Sequence, residues 1–229
     1  MLALVGLIGV LAFVAAIVFP QFWVKRVLAR HGEARADYPG TGGELAKHLV
    51  ERFGLTGVTV EQTDEGDHYD PESKTVRLSK NHFSVSSLSA VAVAAHEVGH
   101  ALQHANEERG LRLRNSLVSV AQITDGFARV FFIVAPILGI ALRTPRALFV
   151  MVGIGLCLLA VRVLVHLVTL PVELDASFGK ALPILEEGEY LSEEDMDGAR
   201  QVLRAAALTY VSAALMSLVD IARWIRVVR

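Results

Sequence analysis

No charged residue occurs between Met1 and Val24. About 20 consecutive apolar residues are enough to cross a bilayer. A run of that length must be buried in lipid or in a large helical core. Two further apolar runs lie downstream. Asn115–Leu142 is broken by Asp125 and Arg129 and holds Pro136; Ala147–Leu170 is broken by Arg162 and His166. The link RTPR joins them, which predicts an antiparallel membrane hairpin, with Cys157 buried inside it. A shorter run, Ala205–Val219, lies at the edge between a span and a buried helix. A cleaved signal peptide needs a positive start and a small-residue cleavage site. No charge precedes Lys25, and the first run continues through Phe19, Phe22 and Trp23. It reads as a retained anchor, with Trp23 at the interface and Lys25 and Arg26 beyond it.

Composition agrees. Hydrophobic residues make up 53% of the 229 and charged residues 20%, against about 25% charged in a soluble domain. That excludes intrinsic disorder. With 22 basic and 24 acidic residues there is no basic excess, so nucleic acid is not an expected partner. A single cysteine, Cys157, excludes an internal disulfide framework and a cysteine zinc cage.

The stretch from Arg30 to about Gly110 is polar and holds most of the histidines. Gly40–Gly54 reads as an amphipathic helix, with Leu45, Leu49 and Phe53 at i, i+4 and i+8. Val58–Gln62 and Thr75–Leu78 read as short strands, and DEGDHYDPES between them as a loop. Ser86–Glu108 reads as a helix with serine N-caps and Gly110 as its stop. An acidic segment, Glu186–Asp197, separates the last two apolar runs.

Residues 96–100 read HEVGH. On a helix, i and i+4 share a face, so His96 and His100 can bind one zinc ion. Glu97 then stands beside the metal as a general base for water. Zinc lowers the pKa of bound water to about 7. The small-residue run AVAVAA before the motif allows close packing. Gly99 costs about 1 kcal/mol in a helix interior relative to alanine, which points to close approach of another backbone. The bland alternative is an amphipathic helix with partly exposed histidines.

A catalytic zinc wants three protein ligands and one open position. The extended motif with a further histidine is missing, since Gln103 and Asn106 stand at its positions. His104 is a turn too far and reads as a packed or solvated histidine. The candidates for the third ligand are Glu173, then Asp175, both in TLPVELDAS, and last Asp125. Asp125 belongs to a design in which the HExxH helix is itself intramembrane. Only about ten apolar residues precede His96, which is short for a span of about 20.

HEVGHALQH, the upstream DHYDP at residues 67–71, the approach LSKNHFSVSSLSAVAVAAHE, and LPVELDAS at residues 170–177 together resemble the YugP-like membrane zinc metallopeptidases. The resemblance covers nearly the whole chain. It implies a gluzincin-type peptidase, with His96 and His100 as ligands, Glu97 as catalytic base, Glu173 as third ligand, and Zn2+ as cofactor. The wider gluzincin pattern is Glu-x-x-x-Asp, but Ser177 stands at the Asp position. That leaves Ser177 or Asp175 to orient a histidine. His166 is a further candidate at the site.

DHYDP has two readings. Asp67, His68, Tyr69 and Asp70 close a β-hairpin as turn residues, or His68 or Tyr69 lines the cleft and steadies a tetrahedral intermediate. Thr75–Leu78 is expected to be an edge strand beside the metal, holding substrate as an added strand.

The expected fold class is therefore a mainly α membrane protein: transmembrane helices plus a small α+β zincin-like (gluzincin) catalytic domain. The expected parts are an anchor at 1–24, the catalytic part at 25–112 and the hairpin at 113–170. Residues 171–229 hold the third-ligand helix, the acidic segment and the last apolar helix. The partners are a peptide or protein substrate and the lipid bilayer; oligomeric state is not legible.

Lys25, Arg26, Arg30 and Arg35 follow the anchor, and Arg112 and Arg114 precede the next run; only Arg143 and Arg146 lie in the link. The positive-inside rule puts the catalytic part in the cytoplasm of a multi-pass cell-membrane protein. Arg223, Arg226 and Arg229 oppose this if the last helix spans. The expected activity is zinc-dependent peptide hydrolysis. The rivals are an intramembrane site-cleaving metalloprotease using Asp125 and a non-catalytic zinc-binding membrane adaptor.

Overall fold

The computed structural model describes residues 19–20, 22–142 and 144–208. Most of the expected anchor, and the last apolar run from residue 209 on, lie outside the described residues. The described residues are mainly helical, with one small sheet. In chain order the elements are α1 (22–30), α2 (Gly42–Arg52), β1 (Thr59–Thr63), β2 (His68–Asp70) and β3 (Thr75–Ser79). They continue with α3 (Lys80–Phe83), α4 (Leu88–Ala105), α5 (Arg109–Leu142), α6 (Pro145–Leu174), a π-helical segment (Asp175–Ala181), α7 (Leu182–Glu187) and α8 (193–208).

Contacts gather the chain into two units. One joins Gln21–Arg112 to Pro171–Thr209, and the other contains Leu113–Leu170.

In the first unit, α2 begins with a capping box. Thr41 N–H donates to Glu44 Oε2 at 2.8 Å, and Glu44 N–H to Thr41 Oγ1 at 3.2 Å. Each bond satisfies a backbone donor that has no partner inside the helix. Gly42 lets α2 close on α4: a Cβ there would sit 2.6 Å from the Ala90 carbonyl oxygen. α4 is capped by Ser87, whose side chain accepts from Ala90 N–H at 3.1 Å.

The sheet order is β1-β3-β2, with β1 parallel to β3 and β2 antiparallel to it. Val76 faces Val60 on one side and Tyr69 on the other. β3 is thus the central strand, paired with β1 along its length and with β2 over Thr75–Arg77, and is not an edge strand. The edge-strand expectation for Thr75–Leu78 is corrected here. β3 also contributes Thr75, Val76 and Leu78 to the interior.

The expected loop over residues 64–73 holds β2. The hairpin turn is the four residues 71–74, and Asp67 precedes the strand. Asp67 Oδ1 accepts from Ser79 N–H at 2.7 Å, and its Oδ2 lies 2.7 Å from His82 Nδ1. Burial pushes the Asp67 carboxyl up, but the His82 and Ser79 bonds outweigh it and hold it below its ordinary value.

The core of this unit joins Leu49 of α2, Val76 and Leu78 of β3, Val91 and Val98 of α4, Leu185 of α7 and Val202 of α8. α4 is buried around its whole circumference from Leu88 to Ala101. An apolar helix of that kind is a core helix.

The second unit holds apolar helix with little of it buried. Two helical runs, Arg109–Ala135 and Phe149–Glu187, are long and apolar enough to cross a membrane, their apolar 18-residue stretches having mean hydropathies of 1.6 and 2.3. On α5, Ile123, Phe127, Val130, Ile133 and Ile137 are 63–70% exposed. Cys157, expected to be buried, is exposed on α6.

Candidate metal centre

His96 and His100 sit one turn apart in the middle of α4, and both are buried. Glu173 closes α6 and is also buried, at 1% exposure. A carboxylate that deep is costly unless a charge or hydrogen bonds compensate it. Glu173 Oε2 lies 3.3 Å from His96 Nε2 and 3.3 Å from His100 Nε2. The two imidazole rings are 4.7 Å apart and nearly perpendicular, at 79°.

The chain after Glu173 explains the convergence. Pro171 sits inside α6, where it lacks the N–H of a regular helix. From Asp175 the helix widens to π geometry, a form that often marks functional sites. This segment packs directly on α4. A Cβ on Gly99 would meet the Ala176 carbonyl oxygen at 2.9 Å and the Lys180 Cβ at 3.3 Å. The close backbone approach expected at Gly99 is present.

Hydrogen bonds set the histidine tautomers. Ser177 Oγ donates to the Leu203 carbonyl at 3.2 Å, and that oxygen can only accept. Ser177 Oγ must therefore accept from His96, whose Nδ1 is 3.0 Å away. Gln103 Nε2 donates to the Val172 carbonyl at 3.0 Å and to Asp175 Oδ2 at 2.8 Å. Its Oε1 is thereby turned to His100 Nδ1, 2.9 Å away, which must donate. In its neutral form each ring carries its proton on Nδ1 and leaves a lone pair on Nε2.

In that form three acceptors converge: His96 Nε2, His100 Nε2 and Glu173 Oε2. Charge-assisted N–H···O bonds run about 2.7–2.9 Å, so 3.3 Å is long for an ion pair. Ligands held about 2.0–2.1 Å from a tetrahedral zinc stand about 3.3–3.4 Å apart. The Glu173–histidine separations match that edge. Two imidazoles and one carboxylate are a zinc donor set. Among the described residues, His96, His100 and Glu173 form the one group that could hold a metal ion.

Residues 6–229 match the family described as "Putative neutral zinc metallopeptidase". The chain belongs to this zinc metallopeptidase family. It is also 37% identical over 209 residues to the "Putative membrane protease YugP" of Bacillus subtilis (strain 168), covering 90% of this chain and 89% of that protein. No solved structure matches. The zinc of the family name has a fitting donor set in His96, His100 and Glu173.

The other expected site residues are placed as follows. Glu97 is buried on α4 next to His96. Ser177 lies on His96, and Asp175 reaches His100 only through Gln103. Tyr69 is buried in β2, with its hydroxyl 2.8 Å from His104 Nδ1. Burial, with Asp70 beside it, pushes the Tyr69 phenol up to about 12. His68 stands at the start of β2, with Nδ1 2.9 Å from the Gly66 carbonyl. His166 is half-buried on α6 in the second unit. The Asp125 side chain lies outside the described residues. Gln103, at 1% exposure, is the residue sequence reasoning missed. Its spacing of three from His100, on one helix face, was the available signal.

Proposed function

We propose that this zinc metallopeptidase is a membrane-bound endopeptidase built on a zincin-like (gluzincin) catalytic domain. The observation that carries the reading is the convergence of His96 Nε2, His100 Nε2 and Glu173 Oε2, with both Nδ1 protons already spent. His96, His100 and Glu173 hold the metal. Zinc, when bound, acts as a Lewis acid toward water and the scissile carbonyl.

Glu97 is the general base. Its carboxylate takes a proton from the attacking water as the oxygen bonds to the carbonyl carbon. It returns that proton to the amide nitrogen as the C–N bond breaks. The second proton of the water follows it to the nitrogen, and the products are a carboxylate and an ammonium. Ser177 and Gln103 keep the imidazoles turned to the metal throughout.

The exposed apolar faces of α5 and α6 support lipid as their surroundings. A soluble core helix would bury such faces. We read residues 113–170 as a transmembrane hairpin of a multi-pass cell-membrane protein. The basic residues from Lys25 to Arg35, with Arg112 and Arg114, favour a cytoplasmic catalytic domain. A role in membrane protein quality control or processing fits a peptidase held at the bilayer.

Zinc content and degradation of an unfolded protein, measured on the full chain, test the reading. Wild type should carry zinc and degrade the substrate. Glu97→Gln should keep zinc and lose about 10²–10⁴-fold in rate. A wild type without zinc, or a variant as fast as wild type, overturns it.

A further inference from the structure

Gln103 is buried at 1% exposure, and three of its hydrogen bonds are made to protein. An amide side chain so placed is expensive unless its donors and acceptor are matched. Here they are. The amide nitrogen donates to Val172 O and Asp175 Oδ2, and the amide oxygen accepts from His100 Nδ1. Asp175 Oδ2 in turn accepts from Lys180 Nζ at 3.0 Å, and Lys180 is 3.1 Å from Glu108 Oε1. His96 has a different support, a serine hydroxyl that hands on to a backbone carbonyl. The two imidazoles are therefore not equivalent. His100 stands at the end of a relay that starts from a carboxylate.

We infer that Gln103 is a positioning residue. It couples the Asp175 carboxylate to His100, fixing the Nδ1–H tautomer and turning the Nε2 lone pair toward Glu173. The inference rests on the proposed zinc site. A carboxylate that meets a histidine directly accepts its N–H and raises its basicity as a ligand. Through an amide the same polarisation is passed on without a second charge beside Glu173. Only a glutamine, or a pair that keeps an acceptor at 103 toward His100 and a hydrogen bond between 103 and 175, can do this. An aliphatic side chain of the same size fills the space and does neither.

The test uses the full chain with two readouts, neither of which is activity. The first is the histidine ring 15N shifts of the metal-free protein, which report the tautomer. The second is zinc affinity by competition with a chelator. Wild type should show His100 as the Nδ1–H form. Gln103→Met, nearly isosteric, should lose that preference and bind zinc about 10–100-fold more weakly. Gln103→Glu alone faces Asp175 with a second carboxylate and should be no better. The double variant Q103E/D175N restores an acceptor at 103 for His100 and a donor at 175 for the new carboxylate; only the Val172 carbonyl loses its donor, so the variant should recover part of the affinity lost in Gln103→Glu. A purely structural role would not give this rescue. If Gln103→Met keeps both tautomer and affinity, or if the double variant binds no better than Gln103→Glu, the positioning role is wrong while the zinc site stands. If wild type binds no zinc, the proposed function fails, and the tautomer readout alone decides the role of Gln103.

Discussion

Glu173 and Ser177 stand four residues apart and address the same imidazole from its two nitrogens. Glu173 Oε2 is 3.3 Å from His96 Nε2, and Ser177 Oγ is 3.0 Å from His96 Nδ1. One stretch of chain thus brings both the carboxylate of the proposed metal site and a hydroxyl that meets the far nitrogen of the same ring. The π-helical widening after Leu174 and the contact with Gly99 hold that stretch against α4. The group that meets His96 Nδ1 is a hydroxyl, not a carboxylate. The Ser177 hydroxyl is neutral and donates its own hydrogen bond to the Leu203 carbonyl.

Ser177→Ala should therefore weaken zinc binding more than it weakens the fold. It removes the acceptor for His96 Nδ1–H, and a ligand that loses such a partner costs about 10–100-fold in metal affinity. The buried N–H left behind costs about 1–3 kcal/mol. Zinc titration together with thermal unfolding of the metal-free protein separates the two. Equal zinc affinity in the variant would show that the hydroxyl does not orient the ring.

Gly99→Ala pits helix propensity against space. Alanine gains about 1 kcal/mol over glycine in a helix interior. Its Cβ would sit 2.9 Å from the Ala176 carbonyl oxygen, which is backbone and cannot swing aside. Overpacking of this kind costs about 1–3 kcal/mol. The expected result is a lower melting temperature and less bound zinc, because Ala176 lies between Asp175 and Ser177. A variant as stable as wild type, with full zinc, would deny the close approach.

These residues also mark where sequence reading succeeds and stops. HEVGH and its helix are legible because the chemistry needs i, i+4 spacing, and the serines before Leu88 offer the cap. β1 and β3 are legible to within a residue from their β-branched composition. β2 is not, because His68–Asp70 is three residues set among acidic turn formers. Strand order is non-local, so nothing near Thr75–Leu78 reveals that β1 and β2 pair with both of its edges. Glu173 is legible as a carboxylate at the polar end of an apolar run. Gln103 is not, because its role depends on Val172 and Asp175, about seventy residues away in sequence. Nothing in DASFGKA separates a π-helical turn from an α-helical one.

Acid should loosen the β3–α3 junction. Asp67 has a folded-state value below its ordinary one. A group depressed on folding adds stability above its unfolded value of about 3.9, and that stability is lost as pH falls through the folded value. Stability should therefore fall on acidification below about pH 4–5. Asp67→Asn should be less stable than wild type near neutrality and show a shallower decline in acid. Asp70, also held low by Ser73 and Arg77, keeps part of the slope. Thermal unfolding of both proteins between neutral pH and about pH 3 checks this. Parallel curves would mean that Asp67 gains nothing from His82 and Ser79.

The identity of the third ligand separates two kinds of peptidase, one with its metal in a folded catalytic domain and one with its metal inside the membrane. Glu173 lies in the same unit as His96 and His100 and contacts both rings. Asp125 is carried by the other unit, in an apolar helix. Replacing Glu173 with alanine leaves two imidazoles, one ligand short of the three that a catalytic zinc requires. Glu173→Ala should lose its zinc, and Asp125→Ala should keep it, when each is purified as the full chain and its metal content measured. Thermal unfolding without metal guards against simple misfolding. In that state Glu173→Ala should be no less stable than wild type by more than a few kcal/mol, since it removes a costly buried carboxylate along with its contacts. Zinc retained by Glu173→Ala and lost by Asp125→Ala would move the site into the membrane and overturn the assignment.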